Sequence, residues 1–153
     1  MGRDYWNTKG WTATIRPNLT SSREAEPPLR VLIADDEAAI REVVRRFLDH
    51  SRFTIVEAAN GKDAMAAVPD AQDLDLLITD EMMPEMEGHE LSRRLRLQNP
   101  DLKVLYLTGH SDRLFDAKEQ MWELEAYLDK PFTQKALNEA VALLLTGKLS
   151  FEK

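Results

Sequence analysis

Hydrophobic positions along this chain fall into short blocks that switch between two periods. Leu29–Ala34 is an almost unbroken apolar run ending in Asp35-Asp36. A run too short for a helix and flanked by carboxylates suits a strand buried on both faces. Ile40, Val43, Val44, Phe47 and Leu48 then recur at helical spacing. Phe53–Ala58 is rich in strand formers, and Asn60-Gly61 ends it as a turn. Asn60 is placed to cap a short helix through Val68, which Pro69 closes. Leu74–Thr79 is a third strand ending at Asp80, followed by a loop, Glu81–Glu87, that contains Pro84. Gly88 opens a helix carrying Leu91 and Leu95 one turn apart, stopped by Asn99-Pro100. Lys103–Leu107 is a fourth strand ending at Thr108-Gly109, and a weaker helical pattern covers 112–122. Ala126–Leu128 is a short fifth strand before Asp129-Lys130-Pro131. Thr133 can cap a last helix with Leu137, Val141, Leu144 and Leu145 on one face and Gly147 as its C-cap.

Strands that alternate with helices need right-handed crossovers, so this pattern predicts an α/β fold: a parallel sheet covered on both faces. The second and fifth strands are the more polar and therefore the expected edges. In doubly wound sheets, ligands bind beyond the carboxyl ends of the strands. The residues at those ends are the first place to look for chemistry.

Composition narrows the class. The chain has 153 residues, no cysteine and a net charge of -7. That length suits one domain with a remainder, and a core large enough to need no covalent staples. Absence of cysteine excludes disulfides and thiol chemistry. No apolar run reaches the roughly 18 residues of a membrane span, and the first residues do not form a signal peptide. Cytoplasmic placement, with neither membrane nor nucleic acid as a partner, is the expectation, since phosphate backbones attract basic faces.

The charge is uneven. Residues 1–28 hold Arg3, Lys9, Arg16 and Arg23 against Asp4, Glu24 and Glu26. The acidic surplus therefore lies beyond them. This lead contains Trp6 and Trp11, a strand-like Thr12–Ile15 stretch and a Pro27-Pro28 linker. It is read as a loosely ordered tail or as a segment that packs on the domain or a partner through its tryptophans. The expected division is tail and linker over 1–28, a domain over 29–146 and a short tail over 147–153.

Five polar residues follow directly on apolar strands: Asp35, Asp36, Asp80, Thr108 and Lys130. Taken singly, each reads as a cap, a turn residue or a solvated charge. Their arrival at one edge of one predicted sheet gives them weight together. Three gathered carboxylates repel, which raises pKa values or demands a cation. An all-oxygen set suits Mg²⁺, which favours phosphate as a further ligand. With an ammonium from Lys130 and a hydroxyl from Thr108, the set describes a phosphoryl site around a carboxylate nucleophile. Asp80 is the best nucleophile candidate, because the loop behind it offers backbone groups.

The stretches Val31-Leu32-Ile33-Ala34-Asp35-Asp36-Glu37, Ile78-Thr79-Asp80-Glu81-Met82-Met83-Pro84, Leu107-Thr108-Gly109 and Tyr127-Leu128-Asp129-Lys130-Pro131-Phe132 make the chain resemble the CheY-like receiver domain of two-component response regulators. The resemblance covers residues 29–146. It implies a flavodoxin-like (βα)5 fold with strand order 2-1-3-4-5. It implies that Asp80 accepts phosphate from a phosphohistidine. Asp36, Asp80 and the Met82 carbonyl would hold Mg²⁺ directly, and Asp35 through a bound water. Lys130 and Thr108 would contact the phosphoryl group. Tyr127 would be an aromatic switch coupled to Thr108, and Met82 and His110 would tune the lifetime of the aspartyl phosphate. The Lys130-Pro131 bond would be cis.

The implied partners are a histidine kinase or histidine phosphotransfer protein upstream and a protein target downstream. The docking face would comprise the fourth predicted helix, the fifth strand and the last helix, with a homodimer through that face as a testable consequence. A 28-residue lead is too short for an output domain, so signalling by docking is expected, from a free-standing receiver or one excised from a hybrid sensor kinase. Such a domain modifies itself rather than turning over a substrate. Two other readings stay open. One is a Mg²⁺-dependent phosphatase with an aspartyl-phosphate intermediate, though Asp80 lacks a second Asp two residues on. The other is a receiver-shaped interaction module that is never phosphorylated.

The remaining residues point to structure. His50, His89 and His110 lack zinc spacing, and His50 is placed to cap a helix C-terminus. Met65 and Met83 read as packed, and at most Met82 and Met86 as exposed. Trp122 reads as core or as a partner contact.

Overall fold

The computed structural model describes residues 27–109 and 124–147. Five parallel strands form one sheet: β1 (Leu29–Ala34), β2 (Phe53–Ala58), β3 (Leu76–Asp80), β4 (Lys103–Thr108) and β5 (Glu125–Asp129). Their order is β2-β1-β3-β4-β5, a doubly wound arrangement with the two more polar strands at the edges. The helices are α1 (Ala38–Phe47), α2 (Gly61–Ala67), α3 (Gly88–Arg96) and α4 (Gln134–Thr146). The 112–122 helical pattern, Trp6, Trp11, Trp122, His110 and the Thr12–Ile15 stretch lie outside the described residues.

Strand alternation divides the core in two. Val31 and Ile33 face one side of β1, where Val44 and Leu48, and Leu137 and Val141 of α4, pack with Ile78 and Leu105. Leu32 and Ala34 face the other side, against Ala64 of α2 and Leu91 and Leu95 of α3. α1 and α4 therefore cover one face, and α2 and α3 the other. Burial on both faces explains why β1, β3 and β4 read as continuous apolar runs.

Local signals set the helix ends. The Asn60 side chain accepts the Asp63 amide, and the Thr133 hydroxyl accepts the Ala136 amide. Gly147 ends α4 at φ 74°, the left-handed conformation that glycine adopts without a Cβ penalty. His50 Nε2 lies 2.7 Å from the Arg45 carbonyl, at the C-terminal end of α1. Met83 is buried, while Met65, Met82 and Met86 are half-buried.

Strand boundaries differ from the sequence expectation at β3 and β5, and β4 runs one residue further, to Thr108. β3 starts at Leu76 rather than Leu74, because Ala71–Asp73 forms a 3-10 turn capped by the Asp70 carboxylate. Leu74 is buried, yet its carbonyl accepts the Asn99 side-chain amide. β5 extends one residue beyond Ala126–Leu128 at each end.

A candidate phosphoryl and metal site

The register brings the predicted residues to one end of the sheet. Asp35 directly follows β1, Asp80 ends β3, Thr108 ends β4, and Lys130 follows β5. Thr108 pairs in register with Asp129, and its carbonyl accepts the Lys130 amide at 3.0 Å. The Lys130-Pro131 bond is cis, as the resemblance implied.

Carboxylate oxygens of Asp35, Asp36 and Asp80 lie within 4.8 Å of one another. Asp35 and Asp80 are buried and Asp36 is exposed. The Lys130 Nζ stands 3.2 Å from Asp35, 3.5 Å from Asp80 and 3.6 Å from Glu37. Asp35 is held firmly: its Oδ1 accepts the Glu37 amide at 2.8 Å, and its carbonyl accepts an Arg41 Nη at 2.6 Å. The Asp80 Oδ1 accepts the Met82 amide at 3.3 Å.

Electrostatics follow from this crowding. Burial, then the charge of Asp35, pushes the Asp80 carboxyl up to about 6, against Lys130 and the Met82 amide. Burial likewise raises Asp35, outweighing the Glu37 amide and Lys130. Burial opposes the charge on Lys130, but Asp35 and Asp80 outweigh it and raise the ammonium above its usual value. Three carboxylates facing one ammonium leave negative charge in excess. An all-oxygen donor set with that excess fits a divalent hard cation. The acidic cluster is of the kind that holds Mg²⁺ in receiver domains.

Thr108 is fully buried at the end of β4, and Tyr127 stands on β5, 36% exposed. Glu37, Arg41 and Glu81 are not singled out by the sequence, and His89 reads there only as a histidine without zinc spacing. The His89 Nδ1 lies 2.5 Å from Glu81 Oε2, and the His89 amide donates to Glu81 Oε1 at 3.1 Å. With Glu87, these residues form a second group whose ligand atoms lie within 4.8 Å of one another. Burial pushes the Glu81 carboxyl up, against the His89 ring that holds it down. No periodic signal joins Glu81 to His89 across a seven-residue gap of loop. The Glu37 carboxylate and Lys130 are joined only by the fold.

Gly88 closes the loop behind Asp80. Its amide donates to the Glu81 carbonyl at 3.0 Å. A Cβ at this position would collide with the Asp80 carbonyl oxygen and lie 3.1 Å from the Glu81 Cα. A helix must start here, and only glycine lets it start so close to the strand end.

The response regulator receiver domain family matches residues 31–142. The chain belongs to that family. This receiver is 35% identical over 126 residues to the response regulator MprA of Mycobacterium ulcerans (strain Agy99), covering 79% of this chain and 52% of MprA. It is 33% identical over 116 residues to the sensor kinase CckA of Brucella abortus (strain 2308), covering 75% of this chain and 12% of CckA. The chain thus spans about half of MprA and a small part of CckA. Among solved structures, a response regulator receiver protein from Sinorhizobium medicae WSM419 superposes with a TM-score of 0.68 at 25% identity, covering 77% of this receiver and 94% of that chain. The receiver domain of the hybrid histidine kinase CckA gives 0.64 at 30% identity, covering 76% and 99%. The acidic pocket of Asp35, Asp36 and Asp80 sits where a receiver carries its phosphoaspartate and metal chemistry. No helix among the described residues is long and apolar enough to cross a membrane.

Proposed function

We propose that Asp80 accepts a phosphoryl group from a phosphohistidine, with Mg²⁺ held by Asp36, Asp80 and the Met82 carbonyl, and by Asp35 through water. The observation that carries this reading is the Asp35–Asp36–Asp80 cluster with Lys130 Nζ 3.5 Å from Asp80. An Asp80 oxygen forms a bond to phosphorus as the P–N bond breaks, and the departing imidazole takes a proton. Such transfers need alignment and charge neutralisation more than covalent help from the protein. Lys130 would offset the charge on the phosphoryl oxygens and the Thr108 hydroxyl would donate to one of them; bound Mg²⁺ would supply further charge neutralisation there. Asp80 must be ionised to attack. Burial and the Asp35 charge push its carboxyl up to about 6, so ionisation is favoured above that pH and a bound cation would favour it further.

The aspartyl phosphate then biases a two-state equilibrium through Thr108 and Tyr127. Met82, whose amide donates to Asp80, and His110, two positions after Thr108 in the sequence, would tune how long it lasts. The similarity to CckA and MprA supports a histidine kinase or phosphotransfer protein upstream and a docked protein downstream, with the chemistry confined to the cytoplasm. The tail over 1–28 and the short tail over 147–153 flank the switching domain. Incubation with Mg²⁺ and phosphoramidate, whose P–N bond mimics phosphohistidine, should add one phosphoryl group to the parent. Asp80→Asn should take none. Equal labelling of the two would overturn the assignment.

A further inference from the structure

One cavity of about 650 Å³ is lined by none of the residues of the acidic site. It is a groove between the end of α1, the start of β2 and the length of α4. Phe47, Leu48, Phe53, Val141, Ala142 and Leu145 make it apolar. Its volume falls within the roughly 300–1,000 Å³ of sites that enclose a ligand group. Arg46, Arg52 and Lys135 stand along it as cations, and Asp49 and Glu139 as acceptors. Such a lining suits an indole, which offers an apolar body, a π face for cations and one N–H donor.

The first strand begins beside this groove. The Leu29 amide donates to the Arg52 carbonyl at 2.8 Å, and Leu29 pairs in register with Phe53. Arg52 and Phe53 both line the groove, and Leu29 packs on the same side of the sheet. The 26 residues ahead of Pro27 are therefore tethered to a strand that begins beside the groove. They include Trp11, Ala13 and Ile15, which alternate with threonines and so share one side of an extended chain. Eighteen positions separate Trp11 from Leu29. At up to roughly 3.3–3.6 Å per residue, that interval exceeds the roughly 20 Å length of α4.

We propose that the chain's own N-terminal segment docks in the groove between α1 and α4, with Trp11 as its anchor. Tethering makes the docking intramolecular, so a modest contact area suffices to hold it. Attachment at Leu29 favours this occupant over a second copy or a separate partner.

The test uses the full chain carrying Trp6→Phe and Trp122→Phe, so that Trp11 alone fluoresces. Its emission should be blue-shifted, and its quenching by acrylamide severalfold weaker than that of N-acetyltryptophanamide. Ala142→Arg and, separately, Leu145→Arg place a charge in the groove. Each should restore quenching to the free-indole level while the far-ultraviolet circular dichroism stays unchanged. Free-indole quenching in the starting chain would overturn the proposal. So would protection that survives both groove variants in folded protein. Protection that disappears on dilution together with a dimeric mass would assign the groove to a second copy, and would equally overturn it.

Discussion

At Asp80, burial and the neighbouring Asp35 charge both work against ionisation. Its carboxyl titrates at about 6 in the folded protein without a cation, against an ordinary value of 3.8. Below about pH 4 it is protonated in both folded and unfolded chains and costs nothing. As pH rises from about 4 to 6, the unfolded chain releases its proton first, so folding stability falls. Above about 6 the penalty is constant, on the order of 2–3 kcal/mol. Asp80→Asn removes it, and Lys130 keeps Asp35 at 3.2 Å. With a chelator at pH 7.5, urea unfolding should find Asp80→Asn more stable than the parent by roughly 1–3 kcal/mol. At pH 4 the gap should close. Mg²⁺ should also narrow it at pH 7.5, because the cation stabilises the folded parent alone. At this scale the sequence was informative wherever a polar residue ended an apolar run, as with Asp35, Asp80 and Lys130. It was silent about Glu37, Arg41 and the Glu81–His89 pair. Those partnerships depend on the paths of loops, which hydrophobic periodicity does not encode.

Elements show the same division. α2 and α4 were legible because Asn60, Thr133 and Gly147 carry their caps locally. The start of β3 was not, because burial and strand pairing part company at Leu74. The Asp75 amide and carboxylate both bond to the Arg30 backbone, and the ladder begins only beyond them. Two elements make quantitative predictions. Gly88→Ala drives a Cβ into the Asp80 carbonyl and must push α3 away from the strand end. Urea titration should show a loss of about 1–3 kcal/mol, and phosphoryl labelling should slow because the Asp80 loop is displaced. Arg96 ties α3 to the β5 edge. Its Nη1 lies 2.5 Å from Glu125, and its other nitrogens donate to the Leu102 and Leu124 carbonyls. Tyr106 joins the same network, bonding to Ser92 at 2.7 Å and to Glu125 at 3.2 Å. Arg96→Met should cost about 3–5 kcal/mol in the same titration, the usual penalty for breaking a buried ion pair. A loss below about 1 kcal/mol would mean that the pair is not structural.

Across the whole molecule, the reactive end of the sheet and the β5 edge are linked through Thr108, whose strand pairs with β5 over five register positions. Tyr106 and Tyr127 are register partners on those two strands. If Asp80 is phosphorylated, the β4–β5 pairing is the shortest route by which a change there would reach the β5 edge. If that edge and α4 form the docking face, a phosphoryl mimic should alter association. Light scattering with Mg²⁺ and beryllofluoride should register a dimeric mass that the untreated protein lacks. An unchanged mass would remove this face from consideration as a dimer contact.

The strand order also has a consequence for how the chain comes to be folded. Among the described residues, β1 comes first in sequence but lies between β2 and β3. On one side it can pair once residue 58 has appeared. Its other side must wait for Thr79, 45 residues after Ala34. At roughly 5–20 residues per second, synthesis leaves that apolar edge without its neighbour for on the order of 2–9 s. A strand that ends up inside the sheet is thus the one left waiting longest for a neighbour during its birth, and the growing chain's encounters with chaperones should centre on Leu29–Ala34.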